Sequence, residues 1–317
     1  MSQSSAATNL HSSLASLNSQ LLLAPMAGVN DPVFRAICRR LGAGITYTEM
    51  ISAKGLAYGN LKTQEMITAL QGDKPYAVQL FGDDPQIMAA EAHKLALRLK
   101  DDLALIDINM GCPARKVTST GSGAALLQKP KLAASIVTEV SSAVVLPVTV
   151  KMRLVCKSND IRTLSFAEDM VASGAQAITI HGRTAEQFYT GRARKDIAGA
   201  LVRHLEIPIF ASGDVCTQDD IQEYWSLGVN AVLAARGARG NPWIFSGHKP
   251  SIIEIAEVAR EHTVGLYEFE PRKLVWMRKH LAWYFKGSPE ALKIRKAVQT
   301  AVSLEDYLVI LDEASRR

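Results

Sequence analysis

The feature that most constrains the fold is a repeated alternation of short apolar runs with helical segments. Eight such runs occur at roughly even spacing, each bounded by Gly, Pro or polar residues. They cover residues 21–24, 45–48, 76–80, 103–109, 147–151, 177–180, 208–211 and 231–235. This alternation predicts an α/β protein whose strands form a parallel (β/α)8 barrel, the TIM barrel.

A doubly wound open sheet is the alternative arrangement of the same elements. That fold is expected to carry a GxGxxG turn after its first strand. Here the first strand is followed by Pro25, Met26, Ala27 and Gly28 instead. The sequence therefore favours the barrel.

The two ends of the chain differ in composition from the barrel repeat. Residues 1–19 are rich in Ser, Ala, Asn and Gln and predict a flexible tail without the basic start and long apolar core of a signal peptide. Residues 20–247 form the predicted barrel domain. Residues 248–317 follow a Gly- and Pro-containing linker, and their helically spaced apolar residues predict a small all-helical C-terminal domain.

The charge balance permits a polyanionic partner. The net charge is +5 and the pI is about 9.0, but the basic residues concentrate in one C-terminal stretch: Arg272, Lys273, Arg278, Lys279, Lys286, Lys293, Arg295 and Lys296. A solvated outer helix face is one explanation for this cluster. Because the clustering is local, we predict contact with nucleic acid.

The spacing of the cysteines bears on whether the chain has disulfides or a zinc site. Cys38, Cys112, Cys156 and Cys216 are far apart and form no CxxC pair or zinc-type spacing. No apolar run approaches the roughly 20 residues of a membrane helix. We therefore expect a cytoplasmic protein without structural disulfides, metal or membrane span, and we expect a monomer.

One cysteine has a distinctive position. Cys112 lies on a tight loop directly after the fourth strand, between Gly111 and Pro113. In parallel α/β proteins this end of a strand carries the chemistry. A catalytic thiol is one interpretation, and a small buried hydrophobic residue is the other.

Polar residues follow most of the strands, and the carboxyl ends of barrel strands converge on one mouth. These residues are Gln79, Asn109, Lys151, His181, Asp214 and Arg236. Lys151 and His181 are expected to add positive donors. Glycines beside Asp214 and Arg236, after the seventh and eighth strands, suit a phosphate. A planar heterocycle with a phosphate tail fits this set, flavin mononucleotide (FMN) in particular, although many barrel ligands carry phosphate.

Five segments together carry a resemblance to a known family. They are LAPMAGVND (23–31), NMGCP (109–113), VTVKMR (148–153), IHGRT (180–184) and ASGD (211–214). With them the chain resembles the tRNA-dihydrouridine synthases, and among these the bacterial B type, also called NifR3-like. The similarity runs from about residue 21 to 245 and continues more weakly into the C-terminal helices.

The resemblance implies reduction of the C5–C6 double bond of uridines in tRNA, with FMN at the barrel mouth and NADPH or NADH as the reductant. The flavin contacts it implies are Pro25, Met26, Ala27, Gln79, Lys151, His181, Ser212, Gly213, Asp214, Ala235 and Arg236. Cys112 would act as the acid that protonates C5, since a thiol is mostly protonated at neutral pH. The implied substrate contacts are Asn109, Arg153, Arg183, Arg278 and Lys279.

The chain departs from the family pattern at three places. Ala235 stands where the family usually has glycine, which predicts a looser backbone approach to phosphate. Residues 154–156 replace a glycine-containing stretch, and the final helical segment is short. An FMN-dependent barrel oxidoreductase acting on a small molecule is the alternative function, and a tRNA-binding protein without activity is a third.

Overall fold

Eight parallel strands form one closed sheet in the computed structural model, which describes residues 20–158 and 160–315. In chain order the strands are β1 (Leu21–Leu23), β2 (Tyr47–Ser52), β3 (Tyr76–Phe81), β4 (Leu103–Met110), β5 (Val148–Arg153), β6 (Ala177–His181), β7 (Ile209–Ser212) and β8 (Ala231–Ala234). Sequential strands from β2 to β8 pair with one another, β8 pairs with β1, and a parallel bridge between Leu23 and Thr46 closes the circle. The predicted (β/α)8 barrel is confirmed.

Helices surround the barrel and continue beyond it. Those between the strands are α1 (Pro32–Arg40), α2 (Ala53–Ala57), α3 (Leu61–Glu65), α4 (Pro85–Leu99), α5 (Arg115–Thr118), α6 (Pro130–Ala143), α7 (Asp160–Ala172), α8 (Asp196–His204) and α9 (Gln218–Ser226). Those after β8 are α10 (Ile252–Phe269), α11 (Met277–Tyr284), α12 (Ala291–Thr300) and α13 (Leu304–Ser315). Within the described ranges, no helix combines the length and apolar character that crossing a bilayer requires.

The period of two along each strand divides the core into two layers. Leu21 and Leu23 pack with residues of the surrounding helices, whereas Leu22 belongs to a second buried cluster drawn largely from alternate strand positions, with Phe210 and Leu233. Since successive side chains of a strand point to opposite faces, this second cluster fills the barrel interior. The barrel is therefore a packed core that presents only its rim to a ligand.

Several element bounds differ from the predicted ones. β2 continues through polar residues to Ser52, so the apolar run at 45–48 predicted only the start of the strand. Helix α8 was not predicted, although it buries Ile197 and Leu201 on one face. Residues 251–287 are helical as expected, but they are divided, because α10 ends at Phe269 and Pro271 begins a separate 3-10 turn. Proline lacks the N–H that a continuing helix needs.

The C-terminal helices build a core of their own on one helix of the barrel. Leu266, Leu281 and Leu311 pack in a buried cluster that also contains Val33 and Ile37 of α1. The helical segment is thus fixed to the barrel beside the loop that follows β1. The division at residues 247 and 248 stays a prediction, and the predicted tail, 1–19, lies outside the described residues.

Candidate active site

The polar residues at the strand ends meet at one end of the barrel, here called the mouth. Strand register places Asn109 beside Lys151, and Arg153 beside His181, which lies next to Ser212. Parallel pairing brings the carboxyl ends of these strands to the same rim. The structure therefore brings together side chains that the sequence separates by up to about a hundred residues.

A buried amide chain crosses the mouth from β3 to β4. Gln79 Nε2 donates to Asp107 Oδ2 at 2.6 Å, and Gln79 Oε1 accepts from Asn109 Nδ2 at 2.8 Å. Asn109 Oδ1 in turn accepts the backbone N–H of Cys112 at 3.0 Å. Both amides are thus occupied within the chain, and Asn109 holds the loop that carries Cys112.

The Cys112 loop is fixed from its other side by a turn that requires glycine. The carbonyl of Cys112 accepts the N–H of Ala124 at 3.0 Å. Gly123 has φ +61°, and a Cβ there would lie 2.8 Å from the same carbonyl oxygen. Cys112 is half-buried and interacts electrostatically with Lys151 and Arg153. The predicted catalytic residue therefore lies at the mouth on a constrained loop, and its role as acid stays a prediction.

The base of the mouth holds a carboxyl and an ammonium group in low-polarity surroundings. Burial raises the pKa of Asp107, against hydrogen bonds from Thr149 and Gln79 and the charge of Lys151. Burial and the charge of Arg153 lower the pKa of Lys151, although Asp107 and Cys112 oppose this. The pKa of each group is thus closer to neutral pH than that of an ordinary aspartate or lysine. Such shifts are common at functional sites.

His181 is neutral, which corrects the expectation of a positive donor at this position. Burial together with the charges of Lys151 and the surrounding arginines lowers its pKa to about 2. Arg183 Nη1 lies 3.3 Å from His181 Nε2. Because a guanidinium can only donate, Nε2 accepts and the ring proton is on Nδ1.

The buried Arg183 and the half-buried Asp214 form a bidentate ion pair. Arg183 Nη1 and Nη2 donate to the two oxygens of Asp214 at 2.9 and 2.6 Å. The remaining Arg183 donors reach the carbonyls of Thr190 and Gly191 and the His181 ring. All five N–H groups are therefore engaged inside the chain, and the predicted contact of Arg183 with a substrate, which stays a prediction, would require exchange of one of them.

Asp214 also positions a second arginine. Its carboxylate accepts from Arg236 Nη2 and from the backbone N–H of Ala193, both at 2.8 Å. Burial alone would raise the pKa of Asp214, but hydrogen bonds from Arg183 and Ala193 and the charges of Arg183 and Arg236 outweigh it and lower the pKa. Asp214 is thus an anion that fixes the guanidinium of Arg236 near the mouth.

The backbone after β7 packs so closely against its neighbours that only glycine fits there. Gly213 has φ +119°, and a Cβ there would lie 2.7 Å from His181 Cδ2 and 2.9 Å from Ala193 Cβ. Ala235, by contrast, has φ −115°, which any residue adopts. The departure from glycine at Ala235 therefore does not force a side chain into the left-handed region.

An aromatic residue that the sequence did not single out lies between two arginines of the mouth. The Tyr189 ring centroid is 4.7 Å from Arg236 Cζ and 5.6 Å from Arg153 Cζ, and Tyr189 is 55% exposed. Arg153 is held by the carbonyls of Gly111 and Thr184 at 2.8 and 2.9 Å. Tyr189 is thus a partly exposed aromatic side chain at the rim; its only signal in the sequence was its place in the loop after β6.

The loop after β1 forms the opposite side of the mouth. Pro25 and Met26 are half-buried and Ala27 is exposed. Gly28 donates its backbone N–H to the buried carboxylate of Glu49, whose pKa burial raises against that hydrogen bond. The loop itself therefore offers backbone and apolar side chains on this side.

The two predicted residues of the C-terminal helices have different surroundings. Arg278 Nη2 donates to the carbonyl of Ala301 at 3.0 Å, just after α12, so it ties two helices together. Lys279 Nζ comes within 3.5 Å of the position a Cβ would occupy on Gly28, and it lies 4.8 Å from the Trp276 ring centroid. Lys279 thus reaches the rim of the mouth and Arg278 does not.

Comparison with known proteins gives a match over nearly the whole chain. A family model described as dihydrouridine synthase (Dus) matches residues 22–316. The match covers both the barrel and the C-terminal helices.

Individual relatives are similar over comparable lengths. A probable tRNA-dihydrouridine synthase from Rhizobium leguminosarum is 39% identical over 284 residues, which cover 87% of this chain and 88% of that protein. tRNA-dihydrouridine synthase B from Pseudomonas putida is 36% identical and covers 88% and 86%. tRNA-dihydrouridine synthase B from Shewanella oneidensis is 36% identical and covers 93% and 95%.

Proposed function

The chain belongs to the dihydrouridine synthase family, and from this membership we infer that it is a flavin-dependent oxidoreductase that reduces uridines in tRNA to 5,6-dihydrouridine. The observation that carries the inference is the match of the family over residues 22–316. The constrained thiol and the buried cations at the barrel mouth are what such a reaction needs.

We propose that the flavin is FMN, bound at the mouth. The fixed guanidinium of Arg236 suits a phosphate. Gly213 lets the backbone after β7 lie directly against His181, where a side chain would not fit. The apolar loop of Pro25, Met26 and Ala27 suits one face of a ring. Lys151 would hydrogen-bond the ring edge, while Asp214 acts through Arg236.

The chain's own residues would supply the proton and would position the uracil base. A bound flavin supplies the hydride that C6 of the uracil ring receives. The Cys112 thiol would donate the proton to C5, and Asn109 holds that thiol's loop through a 3.0 Å hydrogen bond. Arg153 has its Nε and Nη1 engaged, and among the described residues its Nη2 has no partner, so it can reach a base carbonyl.

The target base must leave its stack to reach the mouth, at a cost of about a few kcal/mol. Tyr189 would offset this cost, since stacking on an exposed aromatic ring is worth about 1–3 kcal/mol per base. Arg153 and Arg236 lie over the Tyr189 ring, so the base would replace one of these two contacts.

The C-terminal helices would bind the tRNA backbone beside the mouth. Lys286, Lys293, Arg295 and Lys296 are exposed, and Lys279 links this face to the rim. Contacts of this kind are sensitive to salt, because they release counterions. NADPH or NADH as reductant, a cytoplasmic location and a monomeric state are further parts of this proposal.

The function can be tested with tRNA that lacks dihydrouridine. NADPH should bleach the visible absorbance of the flavin, and addition of the unmodified tRNA should restore it while dihydrouridine appears in the digested RNA. Fully modified tRNA is the control and should not restore the absorbance. Reoxidation by small enones, with no dihydrouridine formed in any tRNA, would favour the small-molecule oxidoreductase instead.

A further inference from the structure

Two histidines and one aspartate meet between the barrel and the C-terminal helices, at a place here called the junction. Asp31 caps the first turn of α1, His262 lies in α10 and His280 in α11. Their side chains are 3%, 0% and 1% exposed. The junction is separate from the mouth, and the proposed reaction does not use it.

The ligand-type atoms of the junction converge on one point. Asp31 Oδ2 is 3.0 Å from His262 Nε2 and 3.7 Å from His280 Nε2, and one ligand atom from each residue lies within 4.8 Å of the others. An ion about 2.0–2.2 Å from each ligand holds its ligands roughly 3–4 Å apart. The three atoms therefore lie close enough together for one small cation to bind all of them.

Neighbouring groups orient two of the three side chains. Asp31 Oδ1 accepts the backbone N–H groups of Val33 and Phe34 at 3.1 and 2.9 Å. His262 Nδ1 lies 3.1 Å from the hydroxyl of Tyr284. Metal-binding carboxylates and imidazoles are commonly held in this way, with the second atom bonded to the protein.

His280 provides the independent observation. Among the described residues, neither of its ring nitrogens has a hydrogen-bond partner, although the side chain is buried. The ring packs against Phe34 and edge-on to Trp283, at centroid distances of 5.8 and 5.2 Å. A buried polar atom without a partner costs about 1–3 kcal/mol, and a bound cation would remove that cost at Nε2.

We propose that Asp31, His262 and His280 bind a divalent transition-metal ion that fastens the C-terminal helices to the barrel. Two imidazoles and one carboxylate are a donor set that suits Zn²⁺. The ion joins segments that the sequence separates by 231 positions. The spacing in the sequence gave no sign of it, because no two of the three residues are near neighbours along the chain.

The test is the metal content of the full-length protein, produced with zinc in the medium and without a metal-binding tag. Mass spectrometry should find about one Zn²⁺ per chain, and His280→Gln should reduce this at least tenfold. His248→Gln is the matched control, because His248 is half exposed and paired with Glu254 away from the junction. It should keep the full metal content.

Two results overturn the proposal. One is a wild-type protein with less than a tenth of an equivalent of metal, also after dialysis against Zn²⁺ or Co²⁺. The other is a His280→Gln protein that retains the full equivalent. Should that variant not fold, X-ray absorption on the wild type decides: nitrogen and oxygen ligands at about 2.0–2.2 Å support the site, and sulfur ligands exclude it. None of these readouts depends on activity toward tRNA.

Discussion

The mouth and the junction both bury a histidine near a carboxylate, but they balance the charge differently. At the mouth, two arginines hold Asp214, so His181 is left as a neutral acceptor among cations. At the junction, His262 itself is the partner of Asp31. The mouth therefore keeps an excess of positive charge that suits an anionic ligand, whereas at the junction the histidine and the carboxylate are paired with each other. Changes at the mouth should affect chemistry first, and changes at the junction should affect stability first.

The largest expected effect is on the chemical step. Cys112→Ala should reduce turnover on tRNA by about 10²–10⁴-fold, the usual worth of a general acid, while the protein keeps its flavin and its unfolding midpoint. Single-turnover reoxidation of the reduced flavin by unmodified tRNA measures this. The control is Cys216→Ala at an exposed cysteine, which should behave as wild type. Near-normal turnover in Cys112→Ala would remove this residue from the acid role.

Substitution at the junction is expected to reduce stability. His262→Leu removes the partner of the buried Asp31 carboxylate, and this should lower the free energy of unfolding by about 2–3 kcal/mol. Denaturant unfolding at neutral pH measures the change. His248→Leu, at an exposed position, should be close to neutral. An unchanged midpoint in His262→Leu would mean that the junction does not fasten the helices.

The glycine at the mouth should combine both kinds of effect. Gly213→Ala forces a Cβ against His181 at φ +119°, which should cost about 1–3 kcal/mol and release the flavin. Gly59→Ala is the matched control, since Gly59 also has positive φ but nothing lies within 4 Å of its Cβ position. It should lose about 1 kcal/mol from φ alone and keep its flavin. Thermal unfolding and flavin absorbance measured together separate the two outcomes.

The lowered pKa of Lys151 predicts an unusual response to alkaline pH. The unfolded chain binds this proton more tightly than the folded one, so stability rises between the lowered pKa and the ordinary value of about 10.4. Activity should fall about tenfold over the same range, because the ammonium group that would bind the flavin is lost. Lys151→Arg should move the fall in kcat/KM to higher pH. Parallel loss of stability and activity would contradict the assignment.

The smallest expected effect is on tRNA binding, through the basic residues at the rim and on the C-terminal helices. Lys279→Glu and Lys293→Glu should each weaken tRNA binding and lower its salt slope by about 1, if each contacts one phosphate. Lys131→Glu on α6 is the control, exposed but remote from the C-terminal helices. Filter binding at several salt concentrations measures the slopes. Equal slopes for all three variants would place the tRNA elsewhere.

The sequence by itself determined the barrel and most of its mouth. Strand–helix alternation requires the strand ends to meet, so Gln79, Asn109, Lys151 and His181 could be assigned to one site from their positions alone. Local patterns did not reveal charge state. His181 is neutral because of cations that come from other strands, and their distances depend on the folded chain.

Tertiary structure alone decided the contacts between distant segments. Tyr189 stands between Arg153 and Arg236, and Asp31 meets two histidines over two hundred residues away. The spacing of residues in the sequence does not predict these contacts, because they result from the way helices pack on a closed barrel. Periodicity specifies which face of an element is buried, and only packing specifies what that face touches.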